Sequence, residues 1–201
     1  MIRRRATFIA IPILLVLAAV PARAQYTRWG FIGAGKGGVD NAYYDADFTL
    51  SAGYLARFGP PVGVYVGIRT PLVYSRFTPD AEALADSLGV GSGSVEGGAA
   101  TVVESGIEAV AGYDTGALGG YGWYGIHYLS ESHNDGTLTT PSGELSFVQR
   151  NRSDLGPSYG AGVQFRIGRR AAVFTEWFRS GGFDDRMLRM EGLRFGVTGT
   201  F

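Results

Sequence analysis

The side chains best suited to hydrolytic chemistry are concentrated in one stretch, GIHYLSESHNDG at 125–136. It holds both histidines and two serines, and a glutamate follows it: His127, Ser130, Ser132, His133 and Glu144. A serine nucleophile, a histidine base and an acidic residue that orients the base are the parts of an acyl hydrolase. However, His127 and Ser130 are three residues apart, a spacing that puts side chains on opposite faces of a strand. The pattern favours polar residues at a strand end that enters a turn. A lipid hydrolase on the protein surface is the less favoured alternative.

A second group of candidate residues consists of isolated charges on the polar faces of alternating segments. They are Arg57, Arg69, Glu104, Glu108, Arg166, Glu176 and Arg194. If the segments are strands of a closed sheet, these four arginines and three glutamates all point inward. One interpretation is a paired core that fills the lumen, in which Arg194 has a glutamate partner. The alternative is a gated ion path in which the pairs exchange partners.

Other ligand-binding patterns are weak. The adjacent carboxylates of Asp184 and Asp185 fall short of the roughly six to eight oxygens that calcium prefers, so we predict no metal site. Three arginines near this loop could contact lipid phosphates, although solvated side chains are favoured: Arg179, Arg186 and Arg189. No glycine-rich phosphate loop stands between a strand and a helix. We therefore expect no cofactor.

The first 24 residues have the form of a secretory signal peptide. Three arginines at 3–5 precede an apolar run from Phe8 to Val20, and Ala22-Arg23-Ala24 provides a small-residue cleavage pattern. The apolar run is shorter than the about 20 residues of a membrane-spanning helix. We predict that 1–24 is a cleaved leader and that 25–201 is one exported domain.

The composition of the exported domain excludes some classes of partner. Removing the four arginines of the leader from 18 basic residues, against 18 acidic ones, leaves a formal charge of −4. Such a chain has no clustered positive charge for a nucleic acid. The protein contains 32 glycines, 11 tyrosines and 12 phenylalanines but no cysteine, so hydrogen bonding and packing must hold it together.

Eight segments alternate between apolar and polar residues with a period of two, which is typical of strands. They span 26–37, 45–58, 62–75, 101–113, 118–131, 157–168, 171–180 and 190–201. In 45–58, for example, Phe48 and Tyr54 share the apolar face, whereas Asp47 and Arg57 share the polar face. The phase of 118–131 stays open, because Tyr121 and Trp123 compete with another set for the apolar face: Tyr124, Ile126 and Tyr128.

The connections between the segments alternate in length. Short turns follow the second, fourth and sixth segments, whereas longer connections follow the others, including two very long ones near 76–99 and 132–154. This pattern describes an up-and-down antiparallel sheet with strands long enough to cross a bilayer at a tilt. Because an open sheet edge has no hydrogen-bond partners in hydrocarbon, such a sheet must close.

We therefore predict an all-β fold, an eight-stranded antiparallel up-and-down transmembrane β-barrel with short periplasmic turns and long extracellular loops. A soluble β-sandwich or lipocalin-like barrel is disfavoured because the bulky residues lie on the apolar face and small ones on the polar face. Aromatic residues near the segment ends are expected to form the interface girdles. They are Trp29, Tyr54, Phe58, Tyr113, Tyr159 and Trp177.

The first very long connection contains a helix signal, TPDAEALADSLG at 78–89. Thr78 is a suitable cap, Pro79 suits the first helical position and Gly89 can end the helix. We expect a short helix that rests on the barrel mouth, with a partner-binding knob as the alternative.

Taken together, these features resemble the small outer-membrane β-barrel proteins of Gram-negative bacteria, the group of the OmpA transmembrane domain, OmpX and OmpW. The resemblance covers 25–201 and implies residence in the outer membrane, contact with its lipids and lipopolysaccharide, and recognition of the last strand by the barrel-assembly machinery. Phe195, Val197 and Phe201 fit that assembly signal, while Gly199 stands where a bulkier residue is usual.

For the function we expect a non-enzymatic structural or surface-interaction role, carried out by a monomer. OmpW-like relatives suggest a narrow channel or transporter for small hydrophobic or ionic solutes as the alternative. The outer-membrane lipid A deacylases offer little support for a hydrolase. In those enzymes His and Ser are two residues apart and Asn follows Ser, whereas here the local order is Ser132-His133-Asn134.

Overall fold

The computed structural model describes residues 26–41 and 43–200, and eight of its strands form one closed barrel. The predicted leader and Phe201 lie outside the described residues. The barrel strands are β1 (Tyr26–Val39), β2 (Tyr44–Phe58) and β3 (Gly63–Pro79), then β5 (Ala100–Asp114), β6 (Leu118–His133), β9 (Arg150–Arg166), β10 (Ala171–Ser180) and β11 (Met190–Thr200). Each strand pairs antiparallel with its neighbours in chain order, and β11 closes the barrel on β1. The predicted fold class is confirmed.

The remaining elements lie in the two longest connections. They are helix α1 (Ala81–Ser87) and three short strands, β4 (Ser94–Gly97), β7 (Gly136–Thr140) and β8 (Gly143–Phe147). The short strands form a separate sheet in the order β4-β7-β8, so the two connections are joined by backbone pairing. Within the described part of the chain, no helix is long and apolar enough to cross a membrane.

Side chains alternate between an outer surface and a filled interior. On β3, Val64 and Ile68 point outward and are 67% and 42% exposed, whereas Tyr65 and Arg69 point inward and are 2% and 4% exposed. The open phase of β6 is resolved in favour of the outward set, Tyr124, Ile126 and Tyr128. This alternation gives the barrel an apolar outer belt and a mixed polar and aromatic core.

Two expectations about the faces are wrong. Trp29 belongs to the interior and not to an outer girdle, because the aromatic rings of Trp29 and Phe31 fill the lumen while Gly30, Ile32 and Ala34 make up the outward face of β1. Asp47 is turned outward by a register shift between Ala46 and Phe48, which interrupts the alternation of β2.

The two ends of the barrel differ in their connections. The turns at 59–62, 115–117 and 167–170 lie at one end, and the connections at 40–43, 80–99, 134–149 and 181–189 lie at the other. The connection at 40–43 is shorter than expected because β1 continues to pair with β11 as far as Val39. Likewise, β9 begins at Arg150 rather than 157, since its first residues extend the ladder with β6.

The predicted loop helix is present but shorter than 78–89. Thr78 and Pro79 are the last residues of β3, where they pair with β2, so neither caps the helix. Asp80 is the N-cap instead, and its carboxylate accepts hydrogen bonds from the backbone N–H groups of Glu82 and Ala83 at 2.9 and 3.0 Å. This capping satisfies two of the unpaired donors at the helix start.

Candidate functional site

The centre of the lumen is organised around His127 on β6. It lies directly opposite Gly106 on β5, between the inward carboxylates of Glu104 and Glu108. Nδ1 is 2.9 Å from Oε2 of Glu104, and Nε2 is 3.0 Å from Oε1 of Glu108. A Cβ at Gly106 would overlap the imidazole and the carbonyl of Ile126. The glycine therefore makes the room in which the ring reaches both glutamates.

These two contacts require two protons. Each ring nitrogen faces a carboxylate oxygen, whereas a neutral imidazole carries only one N–H. With both nitrogens protonated, His127 donates to both glutamates, and three buried cations face three buried carboxylates. The cations are His127, Arg69 and Arg194, and the carboxylates are those of Glu104, Glu108 and Glu176. Such balance is what buried charges need, because an unpaired charge in the interior is costly.

Arg69 on β3 connects the His127 cluster to the other side of the lumen. Its Nε donates to Oε2 of Glu108, and Nη1 donates to Oε2 of Glu176 at 2.8 Å. The guanidinium lies over the ring of Trp123, 4.0 Å from its centroid, which adds a cation–π contact. One arginine thus joins β3, β5, β6 and β10.

Glu176 also contacts Arg194 and Tyr121, which complete this central network. Its Oε1 forms an ion pair with Nη2 of Arg194 at 2.8 Å, and its Oε2 accepts a hydrogen bond from the Tyr121 hydroxyl at 3.1 Å. The glutamate partner predicted for Arg194 is thus Glu176. Arg194 also lies over the ring of Phe178, at 4.3 Å from its centroid.

A second ionic cluster closes the end of the barrel with the short turns. Oδ2 of Asp114 is 2.8 Å from Nη1 of Arg57 and 2.9 Å from Nη2 of Arg166. Arg57 also donates to the carbonyl of Pro60 at 2.8 Å. Asp114 is missing from the candidates found in the sequence, because the predicted strand ends at Tyr113. The alternation of the strand could have identified it: Asp114 is an even number of residues after Glu104 and Glu108, so it lies on the same inward face.

Between the two clusters the described side chains leave little space. A cavity of about 30 Å³ remains, lined by Phe31, Tyr65, Tyr121 and Phe174 among others. That volume accommodates about one or two water molecules. The interior at this level is a packed core rather than an open pore.

The structure does not assemble the hydrolytic side chains. His127 is buried in the lumen, whereas Ser130 is exposed on the outer face of the same strand. Ser132 donates a hydrogen bond to Asn151 at 2.8 Å, and Glu144 is exposed on β8 in the loop sheet. Neither Ser130 nor Ser132 is therefore joined to a histidine and an acid in the arrangement that acyl hydrolysis requires.

The second histidine belongs to a cluster at the barrel mouth. His133 approaches Oε1 of Glu131 through Nε2, and its Nδ1 is 2.9 Å from the Tyr44 hydroxyl. The backbone N–H of Leu188 donates to Oε2 of Glu131 at 2.8 Å. This buried glutamate is not among the sequence candidates, because the sequence leaves the phase of 118–131 open.

The charged residues of the 181–189 connection form ion pairs. Arg189 pairs with Asp185, and Nε of Arg186 is 3.5 Å from Asp184. Arg179 points outward on β10 and is 3.7 Å from Glu191. Within 26–41 and 43–200, no group of three or more potential ligands is arranged to hold a metal ion.

The last strand has one face on the outer surface. Phe195 and Val197 are 60% and 54% exposed and alternate with inward Arg194 and Gly196. The backbone of β11 pairs with β10 on one side and with β1 on the other. The outward side chains are therefore available to an apolar environment while the main chain is hydrogen-bonded on both edges.

Comparisons with known proteins agree on the fold. No protein-family model matches the chain, and no curated protein sequence does. The attachment invasion locus protein Ail of Yersinia pestis, solved with the heparin analogue sucrose octasulfate, covers 88% of this chain and 99% of its own at 13% identity and a TM-score of 0.50. A major outer membrane protein of Thermus thermophilus covers 87% and 99% at 13% identity and a TM-score of 0.53. The chain therefore shares the closed eight-stranded fold of the small outer-membrane β-barrels.

Proposed function

We propose that this chain is an integral protein of a bacterial outer membrane, whose barrel anchors extracellular loops and does not conduct. The filled lumen is the observation that carries the proposal. Arg69 is 4% exposed and contacts Glu108 and Glu176 from one side of the lumen to the other. An eight-stranded barrel is just wide enough for its side chains to fill it, and these charges neutralise one another inside it.

The outer surface supports the membrane location. On β3 the outward positions from Val64 to Tyr74 are apolar except for Thr70. At a rise of about 3.3 Å per residue and a tilt of about 40°, this run covers roughly 25 Å, the height of the apolar band of outer-membrane barrels. The next outward positions of β3 toward the loop end, Arg76 and Thr78, are polar.

The proposal includes the biogenesis of the protein. Residues 1–24 act as a cleaved export signal, and 25–201 insert as a monomeric barrel domain in contact with lipids and lipopolysaccharide. Phe195, Val197 and Phe201 present the assembly signal to the barrel-assembly machinery. Arg179, at an outward position near the loop end, is suited to a lipid phosphate. The long connections are then displayed to the exterior.

Planar-bilayer recording tests the non-conducting barrel, with an open porin as the positive control. We expect at most small and rare conductance from the folded protein. Steady channels on the nanosiemens scale would overturn the proposal in favour of the narrow channel. Gel migration tests membrane-barrel folding separately, because a detergent-folded barrel migrates differently before and after boiling. A sample that migrates identically in both states would contradict the membrane barrel itself.

A further inference from the structure

The barrel mouth holds a cavity that the anchoring role does not use. Its volume is about 300 Å³, at the lower end of the range for small-molecule sites. Each of the four connections at this end contributes to its lining, for example through Tyr43, Leu84, Phe147 and Arg186. The cavity therefore depends on the folded mouth as a whole.

The floor of this mouth cavity has a fixed shape. Glu131 is 1% exposed, and both of its oxygens are engaged, one by His133 and the other by the backbone N–H of Leu188. His133 is held in turn by the hydroxyl of Tyr44, 2.9 Å from Nδ1. The carboxylate of Glu131 is thus occupied before any ligand arrives.

One wall of the mouth cavity is basic. Arg150 and Arg152 are two residues apart on β9, so they share its inward face. They lie across the ladder from His133 and Glu131, respectively. Arg152 donates to the main-chain carbonyl of Arg186, and Arg186 is the third arginine that lines the cavity. The side chain of Arg150 forms no hydrogen bond or ion pair with the described residues.

The charge of this wall is poorly compensated. Three arginines line the cavity, and its one acidic residue, Glu131, is already bound by His133 and by the backbone N–H of Leu188. Asp184 lies 3.5 Å from Arg186, but both side chains are largely exposed and such pairs contribute little. A carboxylate ligand would be satisfied by a single arginine, whereas a phosphate ester carries about −1.5 to −2 charges and three acceptor oxygens. Three arginines therefore match a phosphate better.

Another part of the lining is apolar. Val148 is 82% exposed although it is a hydrophobic residue, and it borders the cavity together with Phe147 and Leu84. An exposed apolar surface beside a basic wall suits a ligand that has a charged group and a ring or another compact apolar face.

We propose that the mouth cavity binds a small organic phosphate. The phosphate contacts Arg150, Arg152 and Arg186, and a body of about one ring packs against Phe147 and Val148. This site goes beyond the anchoring role and is independent of whether the lumen conducts. The same chemistry occurs in free phosphate esters and in the phosphorylated sugars of lipopolysaccharide, so the experiment has an arm for each source.

Calorimetric titration of phenyl phosphate into the protein in phosphatidylcholine nanodiscs tests the site. We expect saturable binding of one ligand per chain, and binding of benzoate or phenol that is weaker by about tenfold or more. Arg150→Gln and Arg152→Gln should each weaken phenyl phosphate binding about tenfold, since each removes a charged hydrogen bond. Arg169→Gln removes the same charge at the opposite end and is the matched control, expected to bind as the wild type does.

The outcomes distinguish a free phosphate ester from a lipopolysaccharide phosphate, and they also include results that contradict the site. If lipopolysaccharide in the nanodiscs weakens phenyl phosphate binding, the lipid headgroup occupies the site; if binding is unchanged, the ligand is a free ester. Absence of saturable binding to the wild type would overturn the proposal. Unchanged binding by Arg150→Gln would also overturn it, because the Arg150 side chain has no partner among the described residues whose loss could unfold the mouth. Boiled and unboiled samples of each variant show that the barrel is folded.

Discussion

Arg69 and Glu176 are separated by 107 residues in the chain, yet Nη1 of the arginine lies 2.8 Å from Oε2 of the glutamate. The same guanidinium also donates to Glu108, so it links β3 and β5 to β10 across the lumen. Removing one member of such a network leaves other charges buried without compensation, which is the most costly way to change it.

Glu108→Ala should therefore destabilise the barrel strongly. The substitution leaves Nε of Arg69 and Nε2 of His127 without their acceptor in a site with no exposure to solvent. We expect a loss of about 3–5 kcal/mol in the free energy of unfolding, measured by urea titration of the protein refolded in detergent or lipid. Glu96→Ala, at an exposed position on β4, is the control and should unfold at the wild-type urea concentration. Equal midpoints for the two variants would contradict a structural network.

Gly106→Ala tests the space that the central histidine requires. The added Cβ overlaps the imidazole of His127 and a backbone carbonyl, so the ring must leave its position between the two glutamates. We expect a large decrease in the urea midpoint of unfolding. Gly120→Ala, on β6, is the matched control because nothing lies within 4 Å of its added Cβ. A Gly106→Ala protein as stable as the Gly120→Ala protein would show that the imidazole is not confined there.

The protonation of His127 is directly observable. Because both ring nitrogens face carboxylates, we expect the nitrogen-15 NMR shifts of Nδ1 and Nε2 to be those of two N–H groups at neutral pH. His127→Gln supplies the assignment by removing this pair of signals. Shifts typical of one protonated and one bare nitrogen would place the second proton on a glutamate instead.

Arg57 and Arg166 share one oxygen of Asp114 but differ in exposure. The side chain of Arg57 is 4% exposed, whereas that of Arg166 is 25% exposed and can return to water when its partner is lost. Arg57 additionally donates to the carbonyl of Pro60. Arg57→Gln should therefore lower the urea midpoint more than Arg166→Gln does. The reverse order would indicate that the ion pair of Asp114 with Arg166 contributes more to stability than its pair with Arg57.

The barrel could be predicted from the sequence because lipid and lumen impose different chemistry on alternate residues. That signal disappears where both faces carry polar residues, as at 150–154, so the sequence predicts a loop over the first part of β9. It is also shifted by a bulge, which is why alternation predicts the wrong face for Asp47. The capping residues predict the helix, but Thr78 and Pro79 fit both a helix start and the strand that they occupy.

The candidate site could be predicted in composition but not in pairing. Alternation indicates that Arg69 and Glu108 point inward, yet the partner of each charge depends on the register between strands. His127 shows this limit, because its role requires Gly106 directly across the ladder. Trp29 shows a second limit of the sequence: alternation assigns residues to two faces of a strand, but it does not say which face points to lipid.

The pairing of β4 with β7 has a consequence for recognition of the barrel mouth, which we propose faces the cell exterior. Hydrogen bonds between these strands join segments that begin at Ser94 and Gly136, so two connections form a single folded platform. Loops ordinarily vary independently of each other, but a change in one of these must be accommodated by the other. We expect antibodies against this platform to recognise a discontinuous epitope that is present on the folded barrel and lost in the boiled chain.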